Sequence, residues 1–179
     1  MYIAPVPYSD TPVGTFAWLE WFRQVRDGLN ATDALGAVIT SVSQTLSAIN
    51  TPKAIPFDTQ TLTGGVTVIN STKITVPNKG KYLFTFSAQM TSTSASTKTV
   101  WFWPRKNGVD FPLAGLKQSI ANNAFSSTVS RQGVFSLEPG DYIEAYWASN
   151  STDISLEAGA ATSFAPSSAA VVLTIFQVA

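Results

Sequence analysis

The 179-residue sequence contains no cysteine and no histidine. Without cysteine the fold owes nothing to disulfides, and thiolate metal sites and cysteine nucleophiles are excluded. Without histidine the usual general base near neutral pH, the Ser-His-Asp triad and the commonest transition-metal ligand are excluded too. Charge is scarce: charged residues make up 12% of the chain, about half the roughly 25% usual for soluble proteins. Ser, Thr, Asn and Gln must therefore supply most of the polar surface. The 11 basic and 11 acidic residues cancel, and no run of Lys or Arg offers a track for a phosphate backbone, so nucleic acid is not an expected partner. No stretch approaches the roughly 18 apolar residues of a membrane span. The opening residues lack a basic n-region, and Pro5, Pro7 and Asp10 interrupt any apolar h-region, so no secretory signal is expected. The expectation is a chain made in a cytosol, without membrane insertion by its own sequence. Gly-rich phosphate loops of recognised spacing are also missing; Thr63-Gly64-Gly65 reads as a turn, and no cofactor is expected.

What is present first is aromatic. Residues 1–14 carry four turn or breaker residues, Pro5, Pro7, Pro12 and Gly14, interspersed with Tyr2, Ile3, Val6 and Tyr8. Proline favours extended geometry, so this segment reads as an arm lying on another surface. Thr15 can cap a helix beginning at Phe16. Phe16, Leu19 and Phe22 define one face of it, and Trp18, Trp21 and Val25 another. A helix apolar on most faces needs a cover, from an oligomer or from a partner.

Leu35, Ile39, Val42, Leu46 and Ile49 then follow at spacings of four, three, four and three, and no charged residue lies between Asp33 and Lys53. That is a heptad pattern. Two readings stand: a self-associating helical seam, or an amphipathic helix packed once on its own domain. The helical stretch is either one bent helix over 15–50 or two helices meeting at Asp27-Gly28-Leu29-Asn30, where Gly28 suits a left-handed C-cap. Pro52 stops the second helix. Domain organisation is thus read as an arm and helices over 1–52 and a head over 53–179.

From Pro52 onward the period changes. Ala54–Phe57, Val66–Ile69 and Lys73–Val76 are short extended runs between Gly, Asn and Pro signals. Lys79-Gly80-Lys81 turns into a strand in which Tyr82, Phe84 and Phe86 share one face. Val100-Trp101-Phe102-Trp103 is apolar on both faces, as for a strand buried on both sides. Asn107-Gly108 reads as a tight hairpin turn. Phe125–Leu137 supplies a strand pair's worth of material, ending at Glu138-Pro139-Gly140-Asp141. Tyr142–Ala148 alternates, Ile154–Leu156 is short, and Val171–Val178 is a final apolar strand. Eight to ten short strands without strand-helix alternation predict a mainly β sandwich or jelly roll.

Three elements carry a resemblance. Gly80-Lys81-Tyr82-Leu83-Phe84-Thr85-Phe86 resembles the G-x-Y-x-F-x-F strand of the C1q/TNF-like jelly roll. Val100-Trp101-Phe102-Trp103-Pro104-Arg105-Lys106-Asn107-Gly108 resembles its following strand with a K-N-G turn. Phe135-Ser136-Leu137-Glu138-Pro139-Gly140-Asp141-Tyr142-Ile143 resembles its L-x-x-G-D-x-[VI] element. The similarity spans roughly residues 54–178. The closing strand, Ser168 to Val178, lacks the aromatic-glycine pattern of animal C1q heads and is more similar to that of tailed-bacteriophage virion proteins with this head. Pro12 to Phe22 likewise looks like short aromatic helices near the start of phage structural proteins. The resemblance implies a ten-stranded jelly roll, preceded here by an N-terminal α-helical segment, that associates as a homotrimer and serves binding or structure, not catalysis. It favours the seam reading of Leu35–Ile49, and it implies oligomer contacts at Leu35, Ile39, Val42, Leu46, Ile49, Tyr82, Phe84, Trp101 and Trp103. It implies virion attachment through Tyr2, Ile3, Tyr8, Phe16, Trp18, Trp21 and Phe22, to capsid or tail proteins.

Other chemistry is thinly signalled. Asp141, Glu144 and Asp153 are carboxylates that a glycosidase would need across a cleft, but Asp141 reads as a turn residue. Asp153 to Glu157 is too sparse for a calcium loop, and no metal is expected. Trp101, Trp103, Tyr142, Tyr146 and Trp147 have the side chains for stacking on sugar rings, against the reading as core or subunit contact. The Ser/Thr-rich stretches Ser92–Lys98 and Asn122–Ser127 read as an exposed binding tip. The expected function is a non-enzymatic bacteriophage virion protein on the particle surface, its head contacting a host polysaccharide or receptor. A capsid decoration protein is the alternative, and a host-wall hydrolase a third class.

Overall fold

The computed structural model describes residues 18–23, 34–121 and 125–178. The chain divides into two units, Met1–Asp33 with Ala179, and Ala34–Val178. In the first, residues 18–23 form a short helix, α1. Trp18, Trp21 and Phe22 cluster on it, with Trp18 5.8 Å from Trp21 and 5.6 Å from Phe22 between ring centroids. Arg23 and Glu20 pair at 2.7 Å on its surface.

The second unit is built from strands. β1 (Leu35–Thr40), β2 (Gln44–Thr45), β3 (Lys53–Ala54) and β4 (Thr59–Gly64) come first. β5 (Thr67–Ile69), β6 (Lys73–Thr75), β7 (Gly80–Ser92), β8 (Lys98–Lys106) and β9 (Val109–Asp110) follow. β10 (Leu116–Ile120), β11 (Phe125–Leu137), β12 (Tyr142–Ser149), β13 (Ile154–Leu156) and β14 (Val171–Gln177) complete them. They form two antiparallel sheets, a β-sandwich. In the first sheet β7 is the spine: β11 pairs along one edge from Gly80 to Ser92. β14 and β13 lie end to end on the other edge. β1 and β4 extend this sheet beyond β14, and β2 extends it beyond β13. The second sheet runs β10-β8-β12-β6-β5, with β9 also on β8 and β3 also on β12.

Between the sheets lies one hydrophobic core. From β7 it takes Tyr82, Phe84, Ala88 and Met90, with Phe86 packed against it; from β8, Val100 and Phe102; from β12, Ile143, Ala145 and Trp147; from β14, Val171, Leu173 and Ile175. These residues alternate along their strands because successive side chains point to opposite faces of a sheet. Phe84 meets Phe135 edge-on at 5.2 Å, and Phe102 stacks over Trp147 at 6.5 Å. Each large apolar side chain buried this way contributes about 1.5–3 kcal/mol. At Asn107-Gly108 φ is positive at both residues (51° and 80°), the geometry of a type I′ hairpin turn.

Three expectations are corrected. The helix expected over Leu35–Ile49 is instead the strands β1 and β2, joined through a turn, so the head includes residues that the sequence assigned to the N-terminal segment. The run Val38-Ile39-Thr40 is β-branched and favours a strand. Exposure alternates residue by residue along β1, but both faces carry apolar side chains, which hides the period of two. Phe125–Leu137 is one thirteen-residue strand rather than two, long because it follows β7 rung for rung. β8 is buried on one face only: Val100 and Phe102 are in the core, while Trp101 and Trp103 are half-buried on the outer face.

Candidate functional site

Two outer faces and one edge of the sandwich carry exposed chemistry. The outer face of the first sheet is built from β11, β7, β14 and β1. Register places Val134 beside Leu83, Leu83 beside Phe176, and Phe176 beside Leu35. Two rungs along, Ser130, Ser87, Val172 and Ile39 form a parallel row, with Gln132, Thr85, Thr174 and Ala37 between them. Val134 is 57% exposed, Phe176 42% and Val172 38%. A row of large apolar side chains this exposed, and free of charge, is a surface that water disfavours.

At the β10–β11 edge an apolar cleft of about 250 Å3 opens between the sheets. Phe84, Phe86, Phe102, Leu116 and Phe135 line it from the strands, and Phe111 from the connection before β10. Phe111 closes edge-on against Phe135 at 4.9 Å. The connection is tied to β11 by Arg131, which donates to the carbonyl oxygens of Gly115 (2.8 Å) and Leu113 (3.5 Å). Leu113 itself is 99% exposed, at a positive φ of 60°. A leucine held in the left-handed region and pointed at solvent is strained and unburied at once.

The outer face of the second sheet is different in kind. Trp101 and Trp103 sit two residues apart on β8, and Tyr146 on β12 lies opposite Trp103, with ring centroids 5.9 Å apart. The Arg105 guanidinium lies 4.1 Å over the Tyr146 ring, and Lys73 lies 4.4 Å over Tyr142. Asp110 accepts from Trp103 Nε1 at 2.7 Å and pairs with Arg105. Those two bonds, that to Arg105 above all, hold the Asp110 carboxyl below the usual carboxylate range.

Neither a protein-family model nor a curated protein sequence matches the chain.

The residues expected to form a helical seam do not share one surface. Leu35 and Ile39 are on the outer face of the first sheet. Val42 and Ile49 are exposed in turns, and Leu46 is in the core. Tyr82 and Phe84 also point into the core, where the Tyr82 hydroxyl donates to the Asn78 carbonyl at 2.7 Å; its burial raises its pKa. Of the expected attachment residues, Trp18, Trp21 and Phe22 cluster on α1, and Tyr2, Ile3, Tyr8 and Phe16 lie outside the described residues. The expected polar tip is partly turned inward. Ser92 and Ser94 are buried, and their hydroxyls accept from the backbone N–H groups of Ser94 and Ser96 at 3.3 Å each; residues 122–124 lie outside the described residues.

The carboxylates Asp141 and Asp153 sit in turns at opposite ends of β12, and Glu144 is buried on its outer side, accepting from Thr72 Oγ1 at 2.8 Å. Asp141 accepts from Asn107 Nδ2 (2.7 Å) and from the Glu138 backbone N–H (2.9 Å), and pairs with Lys106 (2.7 Å). Among the described residues no group of three or more acidic side chains is placed to hold a metal ion. What sequence reasoning missed is the apolar outer face of the first sheet. Its signal was present in Val172 and Phe176, two of the three outward residues of the last strand, which are as apolar as the core residues Val171, Leu173 and Ile175.

Proposed function

We propose that this chain is a non-enzymatic structural protein of a bacteriophage particle: a homotrimer with a C1q/TNF-like jelly-roll head, held to the capsid or tail through its aromatic N-terminal segment. The strand order supports the jelly-roll reading, because the chain passes repeatedly between sheets. β7 lies in the first sheet, β8 to β10 in the second, β11 in the first, β12 in the second and β14 in the first. That wrapping is how a jelly roll is wound.

The observation that carries the trimer is the uncharged row Val134–Leu83–Phe176–Leu35 on one face, with the protruding Leu113 at the neighbouring edge. A flat apolar face and an apolar edge are unlike surfaces, and contact between unlike surfaces closes into a ring when the rotation allows. Trimerisation then gives the head three copies of any weak surface contact, with the gain in avidity that tethering supplies. The aromatic cluster on α1, with Phe22 48% and Leu19 59% exposed, supports an attachment role for the N-terminal segment.

Sedimentation of the purified chain tests the assembly: a trimer mass is expected, and a monomer at micromolar concentration sinks it. Immunogold labelling tests the location, with gold on the particle surface expected and unlabelled particles from an expressing infection overturning it. Particles lacking the protein should lose adsorption to the host. Loss of heat resistance with adsorption intact is the result that a decoration protein would give.

A further inference from the structure

We propose that the outer face of the second sheet is a glycan-binding platform for a chain of pyranose sugars with little net charge. The inference rests on the reading of the head as a host-surface binder and assigns that contact to particular residues. Three observations carry it. First, the aromatic side chains lie on one pleated face instead of in the core: Trp101 and Trp103 on β8, with Tyr146 opposite Trp103. The apolar C–H face of a pyranose ring packs on an aromatic π-face, whose negative centre attracts those hydrogens. Arg105 and Lys73 already lie over the Tyr146 and Tyr142 rings, so the stacking positions are Trp101 and Trp103, two residues or about 7 Å apart along β8 at the rise of a strand.

Second, the polar groups between the rings are placed and held. Asp110 is fixed by Trp103 Nε1 and Arg105 and remains 59% exposed at its side chain, so its carboxylate can accept further hydrogen bonds from sugar hydroxyls. Arg105 is clamped between the Asp110 carboxylate and the Tyr146 ring, leaving the rest of its fork to donate. Groups ordered before binding lose little entropy on binding, which suits weakly held ligands such as sugars. The Arg105–Asp110 pair cancels its own charge, and Lys73 and Lys117 on the same face are offset in part by Glu144, so the face carries little net charge and suits a ligand close to neutral rather than strongly acidic.

Third, the two faces of the sandwich divide the work. The first sheet's outer face has no charged side chain in its three central rows and no outward tryptophan among the described residues, and it suits a second copy of the chain. The second sheet's outer face mixes aromatic rings with paired charges, as ligand sites do. Use of the first face for assembly leaves the second open to solvent.

The test uses the full-length chain on an array of bacterial surface polysaccharides that includes neutral glucans, galactans and mannans, with uronic-acid polymers beside them. Binding to at least one neutral polymer, little changed between 0.1 and 1 M NaCl, is expected. Trp101→Ala and Trp103→Ala should each weaken it at least tenfold, with Trp103→Phe restoring part of the loss. Circular dichroism melts of the same variants identify any that fail to fold, and Trp101→Phe, which keeps the ring and the volume class, should retain most of the binding. Unchanged binding by folded Trp101→Ala and Trp103→Ala overturns the platform while leaving a host-surface binder with its site elsewhere. Binding to no polymer, or only to the acidic ones with loss in salt, overturns the ligand class. Particle labelling, which reads the virion assignment separately, is untouched by either result.

Discussion

Asp141 ties the turn before β12 to the end of β8, beside the backbone bond from the Asn107 N–H to the Tyr142 carbonyl at 3.0 Å. Its carboxylate receives Lys106 from the end of β8, Asn107 from the β8–β9 turn and the Glu138 N–H of its own turn, while Asn107 Oδ1 accepts from the Tyr142 N–H at 2.9 Å. The hydrogen bonds, that from Lys106 above all, lower its pKa to about 2. A depressed carboxylate pKa stabilises the fold fully above the unfolded value near 4 and loses that contribution as pH falls through 2. Asp141→Asn should therefore cost about 1–2 kcal/mol at pH 7, after allowing for solvent screening. The gap from the wild type should close between pH 4 and pH 2, as read by urea midpoints at each pH. A gap that persists unchanged at pH 2 would put the effect on shape rather than charge. At this scale the sequence is legible: Pro139-Gly140-Asp141 and Asn107-Gly108 announce their turns through local chemistry. The bond between the two turns is not, because 34 residues separate its partners.

At the scale of the element, β1 shows how a strand can imitate a helix. Leu35, Ala37 and Ile39 lie on the outer face and Gly36, Val38 and Thr40 on the inner one, and with apolar residues on both faces no alternation survives for the eye. The heptad spacing was a coincidence within that run. Gly36 is the marker that distinguishes the two readings. A Cβ there would meet Val66 Cβ at 2.7 Å and Val66 Cγ1 at 2.8 Å, so the position needs glycine for close approach to its neighbour. Gly36→Val should lower the unfolding free energy by about 1–3 kcal/mol through overpacking. Gly115→Ala, where nothing lies within 4 Å, should change it by less than about 0.5 kcal/mol. Equal effects at the two sites would contradict the packing of β1 on Val66. Strands β7, β8, β12 and β14 were legible because each has a strong apolar run. β4 and β10 were not, since Thr59–Gly64 and Leu116–Ile120 are short and largely polar, and are strands because a neighbour offers them a ladder.

At the scale of the whole molecule, the proposed assembly turns on which apolar residues face outward. Phe176→Asp places a charge in the middle of the Val134–Leu83–Phe176–Leu35 row and should convert the trimer to monomer in sedimentation, with the head still folded. Val42→Asp, in a turn where Val42 is already 65% exposed, should leave the trimer mass unchanged. A folded Phe176→Asp trimer would remove the first sheet's face from the interface. The sandwich architecture was legible from turn spacing and strand count. The division of its two outer faces was not, because which side of a strand faces the core is set by partners far away in sequence. The position of β14 has a further consequence, in time rather than in space. It lies between β7 and β1, yet it follows both in the chain by many residues. During synthesis, therefore, β1 and β7 are complete while the strand that joins them does not yet exist, and each waits with an open edge able to pair with a neighbouring chain. Closure over so long a separation is slow, so the hazard is greatest on crowded polysomes. A message truncated before residue 171 leaves a sheet missing its middle, and the product is expected to aggregate instead of forming a slightly shorter head.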